Sequence, residues 1–129
     1  MKRILISSSS PYEKPIGFSR AVRVGKIISV AGTAPIGPGG QTVCIGDVYG
    51  QAKRCLEVIK QAIEDAGGRI EQVVRTRIML TDINQWKEAA RAHGELFGEI
   101  RPASTIVGGM VFVRPEWLVE IEADCAVEG

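Results

Sequence analysis

The sequence predicts an α+β fold: a single domain, residues 1–129, with one mostly antiparallel six-stranded sheet and two helices on one face. Three observations predict it. The elements run β, β, β, α, β, α, β, β, without the regular alternation that builds a parallel α/β sheet. Two segments carry apolar residues at three- and four-residue steps along one stripe only. The C-terminal strand alternates apolar and acidic residues, so one of its faces belongs to the core and the other does not.

Residues 3–7 read as a short strand, and the serines that follow, with Pro11, read as loop, because hydroxyl side chains compete for backbone bonds and proline removes a donor. Residues 20–24 and 27–31 form a hairpin about Gly25 and Lys26, where glycine frees the backbone for a tight turn. Residues 35–46 hold two prolines and four glycines, too many breakers for a helix or a central strand, and are expected to be an exposed loop. Asp47 caps a helix whose stripe is Val48, Ala52, Cys55, Leu56, Ile59, Ile63 and Ala66; Gly67 and Gly68 end it. A strand follows in which Val74, Thr76, Ile78 and Leu80 alternate with Val73, Arg75, Arg77 and Met79. The second helix is capped at Asp82 or Asn84, carries the stripe Trp86, Ala90, His93 and Phe97, and stops at Gly98. Residues 105–113 and 118–127 complete the sheet around a turn at Pro115.

A chain of 129 residues buries enough surface to fold without staples. Cys44, Cys55 and Cys125 are odd in number and lack the close pairs of zinc ribbons or redox motifs, which points to a reducing, cytoplasmic setting. Sixteen basic against fifteen acidic residues leave a net charge of +1, which argues against nucleic acid as a partner. The apolar stretch after Lys2 and Arg3 stops at Ser7, too short for an export signal, and no segment reaches the length of a membrane span.

Three features carry chemistry. The glycine-rich residues 36–40 fit neither dinucleotide nor Walker spacing and read as a turn. His93 is the one histidine, and its place on an apolar stripe reads as a packed, hydrogen-bonded side chain. Glu120, Glu122 and Asp124 share a strand face. They need solvent or cationic neighbours such as Arg75 and Arg77, and a desolvated one acquires a raised pKa suited to general acid or base work.

The residues 18–22 (FSRAV), 31–35 (AGTAP), 65–68 (DAGG), 75–83 (RTRIMLTDI), 101–105 (RPAST) and 119–127 (VEIEADCAV) resemble, over nearly the whole chain, the YjgF/RidA family, also called the L-PSP endoribonuclease or reactive-intermediate deaminase family. The resemblance implies a chorismate-mutase-like fold assembled as a homotrimer, with small metabolites bound in clefts between subunits and no cofactor or metal. It implies a 2-iminobutanoate/2-iminopropanoate (enamine/imine) deaminase or a related hydrolase of small C=N metabolites. By motif position Glu120 is the catalytic residue that handles water, and Ala31, Gly32 and Thr33 supply pocket backbone.

The chain departs from the family pattern at three positions. Ser104 stands where the family has an arginine that clamps the substrate carboxylate, Phe18 where it has a tyrosine, and Arg20 where it has a glutamine. These changes imply an altered substrate, with Arg20 as the anionic anchor or as an ion-pair partner of the acidic strand, and with Phe18 and Ser104 shaping specificity. A trimeric small-molecule-binding protein without turnover is the alternative reading, and an endoribonuclease the weaker one.

Overall fold

A computed structural model describes residues 2–128. The strands are β1 (Arg3–Ile6), β2 (Ala21–Val24), β3 (Ile27–Thr33), β4 (Val73–Leu80), β5 (Ala103–Val107) and β6 (Val119–Ala126); the helices are α1 (Glu13–Ile16), α2 (Val48–Asp65) and α3 (Trp86–Phe97). The six strands form one sheet in the order β1-β2-β3-β6-β4-β5. Every neighbouring pair is antiparallel except β4 with β5, which α3 connects as a parallel crossover. The predicted α+β architecture stands, with the one-turn α1 added.

The core lies between the sheet and α2 with α3. Alternation in β6 places Val119, Ile121, Ala123 and Cys125 inside, against Ile59, Ile63 and Leu56 of α2. Each of the valine, leucine and isoleucine side chains among them stabilises the fold by roughly 1.5–3 kcal/mol when fully buried. α2 follows its predicted stripe, and Asp47 accepts the Gly50 amide at 3.1 Å as its cap.

Four expectations are corrected. In β4, Val73 faces the core and Val74 is 51% exposed, because Val73 pairs with Cys125 and Arg75 with Asp124; Val74 is the extra residue of a bulge. In α3 the buried line is Ala89, Ala92 and Phe97, while Trp86 is 46% exposed. Ala89 and Ala92 pack in the core cluster with Leu56 and Ile59 of α2. The strand expected at residues 105–113 runs instead from Ala103 to Val107, and Gly108 beyond it packs so close to Ile83 that no side chain fits there. Finally, the first part of the glycine-rich loop is inside. Ala34 and Ile36 pack with Trp117 as a second, small core, and Thr42 is held by the Trp117 indole N–H at 3.0 Å.

The other sheet face has no helix on it. The strand registers put Leu5, Val22, Val24, Ile27 and Ser29 on it, beside Glu122, Asp124, Arg75 and Arg77. Arg77 pairs with Glu122 at 2.7 Å, as the sequence predicts for that acidic row.

Candidate active site

Arg20 precedes β2 and already belongs to the ladder, its amide donating to Ile6 and its carbonyl accepting from Ala31. Its side chain is buried and turns toward the β3 irregularity between Val30 and Thr33. There Nη1 donates to the Gly32 carbonyl at 2.6 Å and to the Thr33 hydroxyl at 3.0 Å, and Nε donates to Ser8 Oγ at 3.2 Å. Glu13, also buried, accepts from the amide and the hydroxyl of the same Ser8. The Phe18 ring lies over the guanidinium, 5.3 Å from its carbon to the ring centroid. Nη2 has no hydrogen-bond partner among the described residues.

Glu120, the second residue of β6, points away from the core face. Its Oε1 sits 3.2 Å from the place a Cβ on Gly32 would occupy. Burial pushes its carboxyl above the ordinary range; Arg20 opposes this shift and Glu122 adds to it. Arg20 and Glu120 form no ion pair and act on one another at longer range. Together with Phe18, Gly32, Tyr12 and Trp117 they line a pocket of about 180 Å³. A carboxylate with few competing partners beside an oriented guanidinium can take a proton from water while an anionic group is held nearby.

Of the residues singled out from sequence, Phe18, Arg20, Gly32 and Glu120 come together in this pocket. Thr33 lies buried beneath it as a partner of Arg20. Ala31 opens on a neighbouring groove of about 540 Å³ on the uncovered sheet face, of which Phe18 is also a wall. Ser104 is elsewhere. It pairs with Thr76 across the β4–β5 ladder, and its hydroxyl bonds the Thr76 hydroxyl at 2.8 Å on the helix-covered face. Ser104 and Glu120 thus point to opposite faces of the sheet, on strands separated by β4, roughly 10 Å across. One chain does not unite them.

Sequence reasoning missed Tyr12 and Trp117, which come from the two ends of the chain and meet edge to face at 6.0 Å. The one available signal was Trp117 two residues before a core strand. His93 is packed as expected, against Phe97 at 4.6 Å between ring centroids. Among the described residues no three His, Cys, Asp or Glu side chains gather for a metal ion, and no helix is long and apolar enough to cross a membrane.

The family model for endoribonuclease L-PSP matches residues 10–127. The chain belongs to this family. The chain is similar to a RutC family protein of Pyrococcus abyssi, 36% identical over 123 residues, covering 95% of this chain and 94% of the relative. The chain is also similar to the 3-aminoacrylate deaminase RutC of Acinetobacter baylyi, 30% identical over 121 residues, covering 93% of this chain and 94% of the relative. A family structure from Mycobacterium tuberculosis, described as a member of the YjgF/YER057c/UK114 family, superposes with a TM-score of 0.88 at 40% identity, covering 98% of this chain and 100% of that one. The YjgF fold of the family is therefore the fold of this chain.

Proposed function

We propose that this chain hydrolyses small imines or enamines derived from amino acids, of the 2-iminobutanoate, 2-iminopropanoate or aminoacrylate type, to a carbonyl acid and ammonia. The observation that carries the reading is the half-buried Glu120 carboxyl set over Gly32, with Arg20 in the same pocket. Ionised Glu120 takes a proton from water as the water oxygen bonds to the C=N carbon; the nitrogen gains a proton, and the carbinolamine then collapses to C=O and releases ammonia. A relative that carries the name 3-aminoacrylate deaminase supports this reaction class.

The working unit is a cytoplasmic homotrimer with a metabolite in each cleft. The apolar residues on the uncovered sheet face call for a partner surface, and a second copy of the chain is the partner that closes the cleft. Ser104 provides a hydroxyl where the family resemblance implies an arginine, so the substrate differs from that of arginine-bearing relatives.

The test is release of ammonia and keto acid from 2-imino acids generated in place by an amino-acid oxidase, with wild type, Glu120→Ala and Ser104→Arg compared. Wild-type turnover that disappears in Glu120→Ala is expected. A silent wild type with activity gained by Ser104→Arg would replace this reading with a metabolite-binding protein, which the uncharged, exposed Ser104 favours. Ribonuclease activity, suggested by the family's name, requires RNA cleavage that is lost in Glu120→Ala.

A further inference from the structure

The pocket that holds Glu120 and Arg20 is walled for the rest mainly by carbon, from Tyr12, Ile16, Phe18, Val113 and Trp117. Two of these side chains are left in the open. Ile16, the last residue of α1, is 64% exposed, and Val113, between β5 and β6, is 67% exposed. Single exposed aliphatic residues are ordinary on a protein surface, but these two come from distant parts of the chain to the rim of one cavity.

The two larger rings turn their polar tips away from that cavity. The Trp117 indole N–H donates to Thr42 Oγ1 at 3.0 Å, and Arg114 Nε donates to the Tyr12 hydroxyl at 3.2 Å. Thr42 and Arg114 are not part of the pocket wall. The Arg114 guanidinium also stands over both rings, 5.4 Å from the Tyr12 centroid and 5.3 Å from that of Trp117, which holds them in their edge-to-face pairing. Tyr12 and Trp117 therefore present ring carbon to the pocket, and Phe18 adds a third ring with no polar tip. Ser10, the one other polar side chain of the wall, accepts from the Tyr12 amide at 3.3 Å. The pocket thus joins two chemistries: charged groups for the reacting end of a ligand, and a held apolar wall for its remainder.

We infer that this wall receives the substrate's side chain, and that the substrate is an imino acid with a large apolar side chain, branched or aromatic. The inference rests on the imine-hydrolase reading and deepens it by naming the substrate class, larger than the methyl and ethyl groups of 2-iminopropanoate and 2-iminobutanoate. Bound in this way, the hydrocarbon covers Ile16 and Val113 while the charged end stays with Arg20 and Glu120. A polar side chain of the same length would lose its water without gaining a partner, so the site selects against it. Ile16 and Val113 set this specificity without touching the reacting atoms.

Imines generated in place from alanine, leucine, phenylalanine and glutamine by an amino-acid oxidase give the turnover panel. kcat/KM is expected to be about tenfold or more higher for the leucine- and phenylalanine-derived imines than for the alanine-derived one, the effect of added methylenes in an apolar pocket, with the glutamine-derived imine no better than alanine's. The stable keto acids 4-methyl-2-oxopentanoate and pyruvate separate binding from chemistry, and calorimetry is expected to show the larger one binding more tightly by a similar factor. Ile16→Ser and Val113→Ser change exposed side chains, so melting temperature and oligomer mass are expected to stay those of wild type. The leucine-to-alanine ratio of kcat/KM is expected to fall about three- to tenfold in each. Tighter binding of 4-methyl-2-oxopentanoate that both variants weaken, with no imine turnover, supports the apolar wall and overturns the hydrolase reading alone. Turnover of the alanine-derived imine equal to that of leucine's, with pyruvate bound as tightly as the larger keto acid, overturns the wall and leaves the hydrolase reading standing. Variants that lower the oligomer mass show that a second copy covers Ile16 and Val113, which also overturns the wall. Keto acids that bind nowhere, together with no turnover, overturn both.

Discussion

Glu120 Oε1 lies 3.2 Å from the position a Cβ on Gly32 would take, so the strand irregularity of β3 and the carboxyl of β6 are fitted to one another. Gly32 has no positive φ, and its backbone accepts alanine. Gly32→Ala is therefore expected to stabilise the fold slightly, by about 0.4–1 kcal/mol through the unfolded chain. The same methyl group displaces the carboxylate, and ammonia release is expected to fall about tenfold or more. Denaturant melts and turnover on one preparation check both halves, and unchanged turnover would remove Glu120's present position from the mechanism.

The raised pKa of Glu120 makes stability pH-dependent in a definite direction. Its contribution is fully present below the ordinary value of 4.5 and is lost as pH rises through the higher folded value, because ionising the half-buried group costs more than ionising it in the unfolded chain. Glu120→Gln is expected to melt with the wild type near about pH 4 and above it at about pH 7. Equal melting temperatures across that window would mean that burial does not govern this carboxyl. Wild-type turnover is expected to rise with pH through the same interval, as the base becomes ionised.

Arg20 holds Ser8, Gly32 and Thr33 together at the pocket, each of which loses a donor when the guanidinium is removed. Arg20→Met is expected to destabilise the chain by roughly 2–4 kcal/mol, since it leaves buried acceptors unmatched. Arg20→Lys keeps the charge and loses the fork, so it should fall between. Urea titration decides: a loss below about 0.5 kcal/mol in Arg20→Met would show the side chain to be free for ligand binding alone.

Leu5 and Ile27 are 59% and 55% exposed on the sheet face that carries no helix. The combined variant Leu5→Glu/Ile27→Lys is expected to give a folded monomer by light scattering and circular dichroism, with turnover lost under the proposed assembly. A wild type that scatters as a monomer at micromolar concentration, or a variant that remains a trimer, would contradict this assembly.

Much of the fold was legible because its strongest elements depend on local pattern. β6 alternates without a break, and α2 has a cap, a stripe and a glycine stop, so side-chain periodicity alone names their buried residues. The misreadings share one origin. Val74, Trp86 and Gly108 were assigned by period, while their places are decided by neighbours far along the chain: a bulge opposite β6, the closeness of α2, and the wall made by Ile83.

The site divides the same way. Glu120 and Gly32 could be named from motif positions, and they do meet. Arg20's partners depend on how the loop before β2 and the irregularity of β3 meet, and the Tyr12–Trp117 pair that helps to line the pocket depends on segments about a hundred residues apart closing on each other; no local pattern encodes either. Sequence by itself determined the fold class, the family and the identity of one acidic strand face, because those follow from period, composition and contiguous motifs. Only the tertiary structure decided that Ser104 faces the helices while Glu120 faces away from them, and that Thr76 joins Ser104 to His93. Sheet order and strand register set which side chains share a face, and both arise from long-range pairing rather than from any short run of residues.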